Sequence, residues 1–316
     1  MQRNIALDIA KGITIILMII GHCYQIPYMP FRHLIFTYHM PFFFLASGYC
    51  YKSTDIKNSL KKDLRHLMIP YFITCLAILF FYSIVWIKIG NNSDLTYYLF
   101  ASIWGSGTQH TCLYLADYPK IGAIWFLPAL LICKNLYNMI KPNKKFIYSS
   151  ILFIIATILG RYVLYIPFSF LSGVSALIFF AIGDYLKKIK SIKWYWLFIG
   201  LVCWYISFKY SHIYMVQPQY DLYFIDVIGA TTASVIAYFF SKLLSNITIA
   251  QKTLSWVGRN TLLILCLHLI DLDCHISPRL NFTSYESITI IYSVLLPILG
   301  TIAHNLLQNK IKQAPQ

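Results

Sequence analysis

Long apolar runs separated by short polar segments make up most of this chain of 316 residues. A run of about 20 apolar residues is long enough to cross the hydrocarbon core of a bilayer as a helix. Runs of roughly this length occur at 5–24, 33–51, 66–88, 121–140, 146–164, 171–187, 192–209, 223–243, 254–273 and 287–307. The pattern predicts an all-α protein, a polytopic membrane helical bundle of about ten transmembrane helices.

Composition agrees with this class. The chain is 58% hydrophobic and 12% charged, and its mean hydropathy is +0.62. A soluble protein carries about twice as large a charged fraction. We therefore expect residues 1–316 to form a single integral membrane domain. We expect no signal peptide, because Asp8 and Lys11 interrupt the first apolar run and no small-residue cleavage site follows it.

The distribution of basic residues predicts the orientation. With the N-terminus in the cytoplasm, 20 of the 26 Lys and Arg residues lie at inner loops. The other six lie at outer loops and are Arg32, Lys88, Lys120, Arg161, Lys209 and Arg279. Because basic residues concentrate on cytoplasmic loops, both termini are predicted to be cytoplasmic. The expected location is the cell inner membrane.

Two partner classes are not expected. The net charge of +15 follows from the membrane topology, so nucleic-acid binding is not needed to explain it. The eight cysteines are scattered through the apolar runs without a CxxC pair, so we expect no metal site. The lipid bilayer is the first expected partner.

The first apolar run carries three ionisable residues, Asp8, Lys11 and His22. Eleven residues bring Lys11 and His22 back to nearly the same helix face, roughly 16 Å apart along the axis. Ionisable groups inside a bilayer are costly and typical of a polar cavity or a reaction path. A neutral imidazole is suited to accept a proton from a hydroxyl group, which makes His22 a candidate general base.

Simpler interpretations stay open for the same residues. His22 can be a bundle histidine that bonds to a neighbouring helix. Lys11 can clamp an anion, pair with Asp8, or extend its ammonium group to the membrane interface.

Other candidates lie further along the chain. His39 is expected at a depth similar to that of His22, so the two can share a cavity. Trp125 opens the fourth run, where it can stack on a sugar ring or simply mark the membrane interface. His268 is another buried histidine, with a functional or a structural role. Lys62 and Arg65 can hold phosphate groups of a cytoplasmic cofactor, or be ordinary inner-side charges.

Several strings resemble the acyltransferase 3 family of multi-span membrane acyltransferases, which O-acetylate bacterial surface glycans. In chain order they are Asp-Ile-Ala-Lys-Gly-Ile at 8–13 with Gly-His at 21–22, His-Met-Pro-Phe-Phe-Phe at 39–44 with Ser-Gly-Tyr at 47–49, Trp-Phe-Leu-Pro-Ala-Leu at 125–130, Ile-Gly-Asp-Tyr at 182–185, and Gly-Arg-Asn-Thr at 258–261 with Leu-His at 267–268. Their order and the ten-run layout make the combination fairly specific.

The resemblance implies an acyl donor, usually acetyl-CoA, that enters from the cytoplasm. It also implies a sugar acceptor on a polysaccharide or lipid-linked glycan, such as O-antigen, capsule or exopolysaccharide. His22 is then the general base, with Asp8 and Lys11 ordering the entry. His39, Trp125 and His268 are expected to bind the acceptor, and Lys62 and Arg65 the cofactor.

The chain departs from the family pattern at three places. The basic residue before His22 is usually Arg, whereas here Lys11 lacks the bidentate guanidinium. Lys62 with Arg65 only approximates a paired-Arg motif. Leu130 and Leu131 stand where one branch carries Glu, so the chain resembles the compact branch of fucose O-acetylase-like proteins.

Two other function classes fit the same polar stripe. A glycan or small-solute carrier would use it as a path, although no inverted repeat is present in the sequence. A scaffold subunit of a glycan-synthesis complex would tolerate the loss of His22.

Overall fold

The computed structural model describes residues 3–23, 29–108, 110–112, 115–162, 166–276 and 286–313. The fifteen helices in these ranges are α1 (Ile5–His22), α2 (Met29–Phe36), α3 (His39–Tyr49), α4 (Ile56–Asp63), α5 (Ile69–Ile89), α6 (Ser93–Trp104), α7 (Phe126–Met139), α8 (Lys145–Tyr162), α9 (Phe170–Ser175), α10 (Leu177–Leu186), α11 (Trp194–Tyr210), α12 (Phe224–Leu244), α13 (Thr248–Arg259), α14 (Thr261–Cys274) and α15 (Glu286–Gln313). Tyr24, residues 163–164 and Arg279, which belong to predicted runs or loops, lie outside the described residues.

Short elements connect the helices. A π-helical turn, Leu64–Met68, leads into α5, and 3₁₀ turns at Gly122–Trp125 and Pro142–Lys144 lead into α7 and α8. Two small antiparallel hairpins also occur. One pairs β1 (His110–Cys112) with β2 (Leu115–Tyr118), and the other pairs β3 (Ile213–Tyr214) with β4 (Gln219–Tyr220).

Five helices or continuous helical segments are long and apolar enough to cross a membrane, and a bent pair makes a sixth. The five are Ile5–His22, Ile56–Ile89, Pro142–Arg161, Phe224–Leu244 and Ile288–Lys310. This confirms a membrane protein of the all-α class, whose described residues are mostly helical apart from the two short hairpins. The count of ten crossings and the side of the termini stay predictions.

Three of the predicted runs are divided between two α-helices in the structure, and one of them, 171–187, is divided between α9 and α10 at Ala176. Residues 33–51 form α2 and α3 with a turn at Thr37–Tyr38, where the Thr37 hydroxyl donates to the Leu34 carbonyl at 2.7 Å. Residues 254–273 fall on α13 and α14, which meet at 70°. Asn260 stands at this bend; its amide donates to the Trp256 carbonyl, and its oxygen accepts from Asn305. Side-chain bonds of this kind compete with the regular helical pattern.

The chain divides into two compact units. Unit 1 comprises residues 1–32 and 238–316, and unit 2 comprises residues 33–237. The boundaries fall within α2 and α12. The single membrane domain predicted for residues 1–316 stays a prediction, and each unit is described by itself.

Unit 1 is organised around the crossing of α1 and α13. Asn4 caps α1 by accepting from the Leu7 N–H at 3.1 Å, which satisfies one of the unpaired donors at the helix start. A Cβ atom on Gly258 would lie 1.7 Å from the Asp8 carbonyl oxygen, and one on Gly12 would lie 2.3 Å from that of Leu254. The two backbones therefore touch, which only glycine permits.

Unit 2 has a similar crossing between α3 and α10. A Cβ atom on Gly48 would lie 2.0 Å from the Phe180 carbonyl oxygen, and one on Gly183 would lie 2.1 Å from that of Leu45. Around this crossing α7, α8, α9 and α10 enclose a core of aromatic and aliphatic residues that includes Phe44, Phe153, Phe179 and Phe180.

Candidate active site

His22 and His268 lie next to each other in unit 1. His22 is the last residue of α1, and His268 lies in the middle of α14 with only 1% of its surface exposed. Their ring centroids are 6.0 Å apart, and the ring planes are inclined by 39°. Two predicted residues, taken from opposite ends of the sequence, are thereby brought together.

Two charged groups accompany the histidines. The Arg32 guanidinium donates through Nε to the Gly21 carbonyl at 3.0 Å, and its charge is close enough to act on the His22 imidazole. Asp271 follows His268 by three residues, which places it on the same face of α14, and it is buried. Because water is scarce at such a site, these charges act more strongly than they would in solution.

Sequence reasoning missed both residues. The sequence alone identifies Arg32 only as an outer-loop charge and does not link Asp271 to His268. The signal for Asp271 was present, because an acidic residue three positions after a buried histidine shares its helix face. No sequence pattern pairs Arg32 with the carbonyl of Gly21, since the two residues belong to different helices and meet only through tertiary packing.

Asp8 and Lys11 lie in the first turns of α1, far from His22 along the helix. Asp8 is buried, accepts from Arg3 Nε at 2.5 Å and lies 3.8 Å from the Lys11 ammonium. Of the roles open to Lys11, the geometry supports the partner of Asp8, in a cluster that also contains Arg3. Eleven residues correspond to roughly 16 Å of helix rise, so this cluster does not contact the His22 ring.

His39 and Trp125 belong to unit 2. His39 is buried, with Nδ1 3.0 Å from the Ile35 carbonyl and the Phe36 ring packed edge-on at 4.7 Å. Trp125 ends the 3₁₀ turn before α7, and its ring covers Gly107, where a Cβ atom would lie 2.2 Å from the indole Cδ1. That His39 shares a cavity with His22, and that both residues bind the acceptor, stay predictions.

Lys62 and Arg65 are exposed at the junction of α4 and the π-helical turn. Between them Asp63 is buried and pairs with the Lys134 ammonium at 2.5 Å, while Ser59 and Asn135 each donate to its other oxygen at 3.3 Å. Asp63 therefore fastens α4 to α7 and leaves the two basic side chains facing outward. The expected cofactor role of Lys62 and Arg65 stays a prediction.

Fold and site together define a helical membrane protein with a histidine pair beside an arginine and a buried carboxylate. The profile of the acyltransferase 3 family, described as an acyltransferase domain, matches residues 4–303. The chain belongs to this family, which confirms the resemblance.

A curated relative is the nodulation protein NolL of Sinorhizobium fredii. It is 31% identical over 90 residues, and the match covers 24% of this chain and 25% of NolL. The chain therefore spans only about a quarter of the length of this relative. No solved structure matches the chain.

Proposed function

We propose that the protein is an O-acetyltransferase that moves an acetyl group from cytoplasmic acetyl-CoA to a sugar hydroxyl of a cell-surface polysaccharide. The observation that carries this proposal is the close pair of His22 and His268 rings in a chain of the acyltransferase 3 family. The acceptor is a polysaccharide or lipid-linked glycan such as O-antigen, capsule or exopolysaccharide.

In this reaction His22 acts as the general base. Its imidazole takes the proton of the acceptor hydroxyl while the oxygen attacks the thioester carbonyl. The tetrahedral intermediate collapses, the carbon–sulfur bond breaks, and the imidazolium returns the proton to the departing thiolate of CoA. A transient acyl-histidine is the alternative course. The products are the sugar ester and free CoA.

Neighbouring groups support this role. His268 lies within ring contact of His22 and is suited to orient the imidazole and to bind the acceptor. Arg32, held against the Gly21 carbonyl, is suited to stabilise the oxyanion of the tetrahedral intermediate. Asp8 and Lys11 order the other end of α1, where the donor enters. His39 and Trp125 contribute to acceptor binding, and Lys62 and Arg65 to binding of CoA.

The proposed topology has ten crossings of the inner membrane with both termini in the cytoplasm. The asymmetric distribution of Lys and Arg along the chain supports it. In this orientation the basic residues around α4 and the start of α8 face the cytoplasm, where acyl-CoA is found, and His22 lies toward the outer half of the bilayer.

The decisive experiment replaces His22 by Ala. We expect loss of acetate transfer from labelled acetyl-CoA to isolated glycan, with normal amounts of folded protein in the membrane. His304→Ala is the matched control, because His304 is exposed on α15 in the same unit.

Mass spectrometry of surface polysaccharide from cells with and without the protein then identifies the acyl group and its position. Full activity of the His22→Ala protein would remove the proposed mechanism. Solute flux without any covalent change of the glycan would instead favour a carrier.

A further inference from the structure

In unit 2, the ends of four helices meet at Tyr51. This residue follows α3, and its ring packs against Tyr137 of α7 and Phe180 of α10, with centroid distances of 5.1 and 5.6 Å. Its hydroxyl donates to the Asn138 side chain at 2.5 Å. Tyr51 and Tyr137 are both buried, so the two rings are held in fixed positions.

Two lysine side chains converge on these rings. The Lys145 ammonium, at the start of α8, lies 4.4 Å from the centre of the Tyr51 ring and 4.3 Å from that of Tyr137, and it donates to the Tyr51 hydroxyl at 3.2 Å. The Lys187 ammonium, after α10, lies 5.6 Å from the centre of the same Tyr51 ring and donates to the Tyr51 carbonyl at 2.7 Å. Both side chains are half-buried.

The charges of this cluster do not balance. Lys187 pairs with Asp184, which also accepts from the Tyr137 hydroxyl at 2.9 Å. Lys145 makes no ion pair among the residues that the structure describes, and its contacts are the neutral rings and one hydroxyl. Because an ammonium group has three donors, Lys145 retains capacity for a further acceptor. Two cations thus lie on the Tyr51 and Tyr137 rings, and only Lys187 has a carboxylate partner among the described residues.

Helix packing accounts for two of the three donors of Lys187 and leaves the Lys145 charge without a carboxylate partner among the described residues. Lys187 links α10 to the end of α3, because its ammonium group pairs with Asp184 and donates to the Tyr51 carbonyl. If Lys145 only linked helices, we would expect a carboxylate beside it, since an unpaired charge that loses part of its water is costly. An anionic ligand would supply the missing charge.

We propose that Lys145 and Lys187 bind phosphate groups of the acyl-CoA donor, with Tyr51 and Tyr137 as the platform that positions them. Lysine binds phosphate as a compact point charge, so convergence of two ammonium groups matches a diphosphate or a phosphate monoester. The inference rests on the proposed function and adds to it a site that is more enclosed than Lys62 and Arg65. Lys134, the partner of Asp63, lies on α7 three residues before Tyr137, so the Lys62–Arg65 pair and the Lys145–Lys187 pair both adjoin the C-terminal half of that helix.

The test measures binding of CoA to the purified full-length protein in detergent by calorimetry. We expect Lys145→Gln to raise the dissociation constant about tenfold, as the loss of one charged contact does. Lys144→Gln and Lys188→Gln are matched controls, because each removes the same charge from an exposed neighbouring residue. Each control should change the dissociation constant for CoA by less than about twofold. Lys145→Met, which keeps the aliphatic stem on the rings, is a second variant should Lys145→Gln not fold.

A second arm distinguishes the inference from the proposed function. With S-acetylpantetheine, a donor without phosphate, the Lys145→Gln protein should keep the kcat/KM of the wild type, while its KM for acetyl-CoA rises. If the wild type transfers acetyl groups and Lys145→Gln leaves the KM for acetyl-CoA and the KM for S-acetylpantetheine unchanged, only the inference fails. If the wild type neither binds CoA nor transfers acetyl, the proposed function fails.

A third arm tests anionic lipid as the source of the phosphate. The protein is titrated with short-chain phosphatidylglycerol, and its thermal stabilisation is measured. Loss of this stabilisation in Lys145→Gln with unchanged CoA affinity would assign the site to lipid headgroups and overturn the proposal. An equal loss of CoA affinity in the Lys144→Gln control would show that the effect comes from the general charge of this surface. That result would also overturn the proposal.

Discussion

The α1–α13 crossing of unit 1 and the α3–α10 crossing of unit 2 use the same packing device for different ends. In each, two glycines bring helix backbones into contact, and a buried carboxylate with a basic partner lies nearby, Asp8 in one and Asp184 in the other. Farther along, unit 1 presents His22 and His268, whereas unit 2 continues into a core of phenylalanine rings. Close helix packing is therefore general in this protein, and the chemistry depends on what the packed helices carry at the far end.

The largest expected effect comes from adding one methyl group at either crossing. Gly258→Ala and Gly183→Ala each place a Cβ atom within about 2 Å of a backbone carbonyl oxygen that cannot move alone, so the helices must separate. We expect each to lower the free energy of unfolding by about 1–3 kcal/mol or more. The loss of stability is measured as the fraction of protein that stays monodisperse after heating in detergent.

Gly300→Ala is the control for both glycine variants. Its Cβ would meet only the end of the flexible Leu267 side chain at 3.0 Å. If Gly300→Ala lost as much stability as Gly258→Ala, the destabilisation would come from placing a methyl group on any helix and not from the close contact at the crossing.

The next effect separates the two regions by activity. His268→Gln keeps a polar side chain of similar size but removes the imidazole next to His22. We expect kcat/KM for acetyl transfer to fall about tenfold or more, since positioned acid–base groups contribute at least this much. Thermal stability should change far less than in the glycine variants.

The pH profile of kcat/KM distinguishes positioning from packing in this variant. A change in the shape of the profile is expected, because His268 lies beside His22 and shares a helix face with Asp271. His304→Gln should leave rate and profile as they are. Wild-type activity of the His268→Gln protein would show that His268 takes no part in the reaction.

The smallest effect is expected at Lys11. Its ammonium lies 3.8 Å from Asp8, which has a second and closer partner in Arg3. Lys11→Arg should therefore change stability by no more than about 0.5 kcal/mol and activity by less than about twofold, as is typical of partly exposed ion pairs. A gain or loss of tenfold in kcat/KM would show instead that residue 11 contacts a substrate.

Part of this fold follows from local patterns. The first apolar run corresponds to α1, with Asn4 as its cap, and the run at 66–88 lies on α5 and the turn before it. The break at Thr37 and the bend at Asn260 were not predicted, because apolar residues continue on both sides of each position. Side-chain bonds from Trp204 to Thr37 and from Asn305 to Asn260 accompany them, and these partners are more than 40 residues away in sequence.

The candidate site shows the same division. His22 and His268 were each selected because a histidine is costly in an apolar helix. Trp125, selected because it can stack on a sugar ring or mark the membrane interface, is buried and packs against Gly107. Lys145 and Tyr51 gave no signal, because a basic residue at a helix start and a tyrosine at a helix end are common in membrane proteins.

The sequence by itself determined the class of this protein, its apolar helices and the histidines that can do chemistry, because hydropathy and side-chain type are properties of single residues and short segments. Only the tertiary structure decided which of these groups meet: His22 with His268, Gly12 with Leu254, and Lys145 with the rings of Tyr51 and Tyr137. Helical periodicity states which face a residue occupies, but the partner of that face is chosen by packing among distant helices.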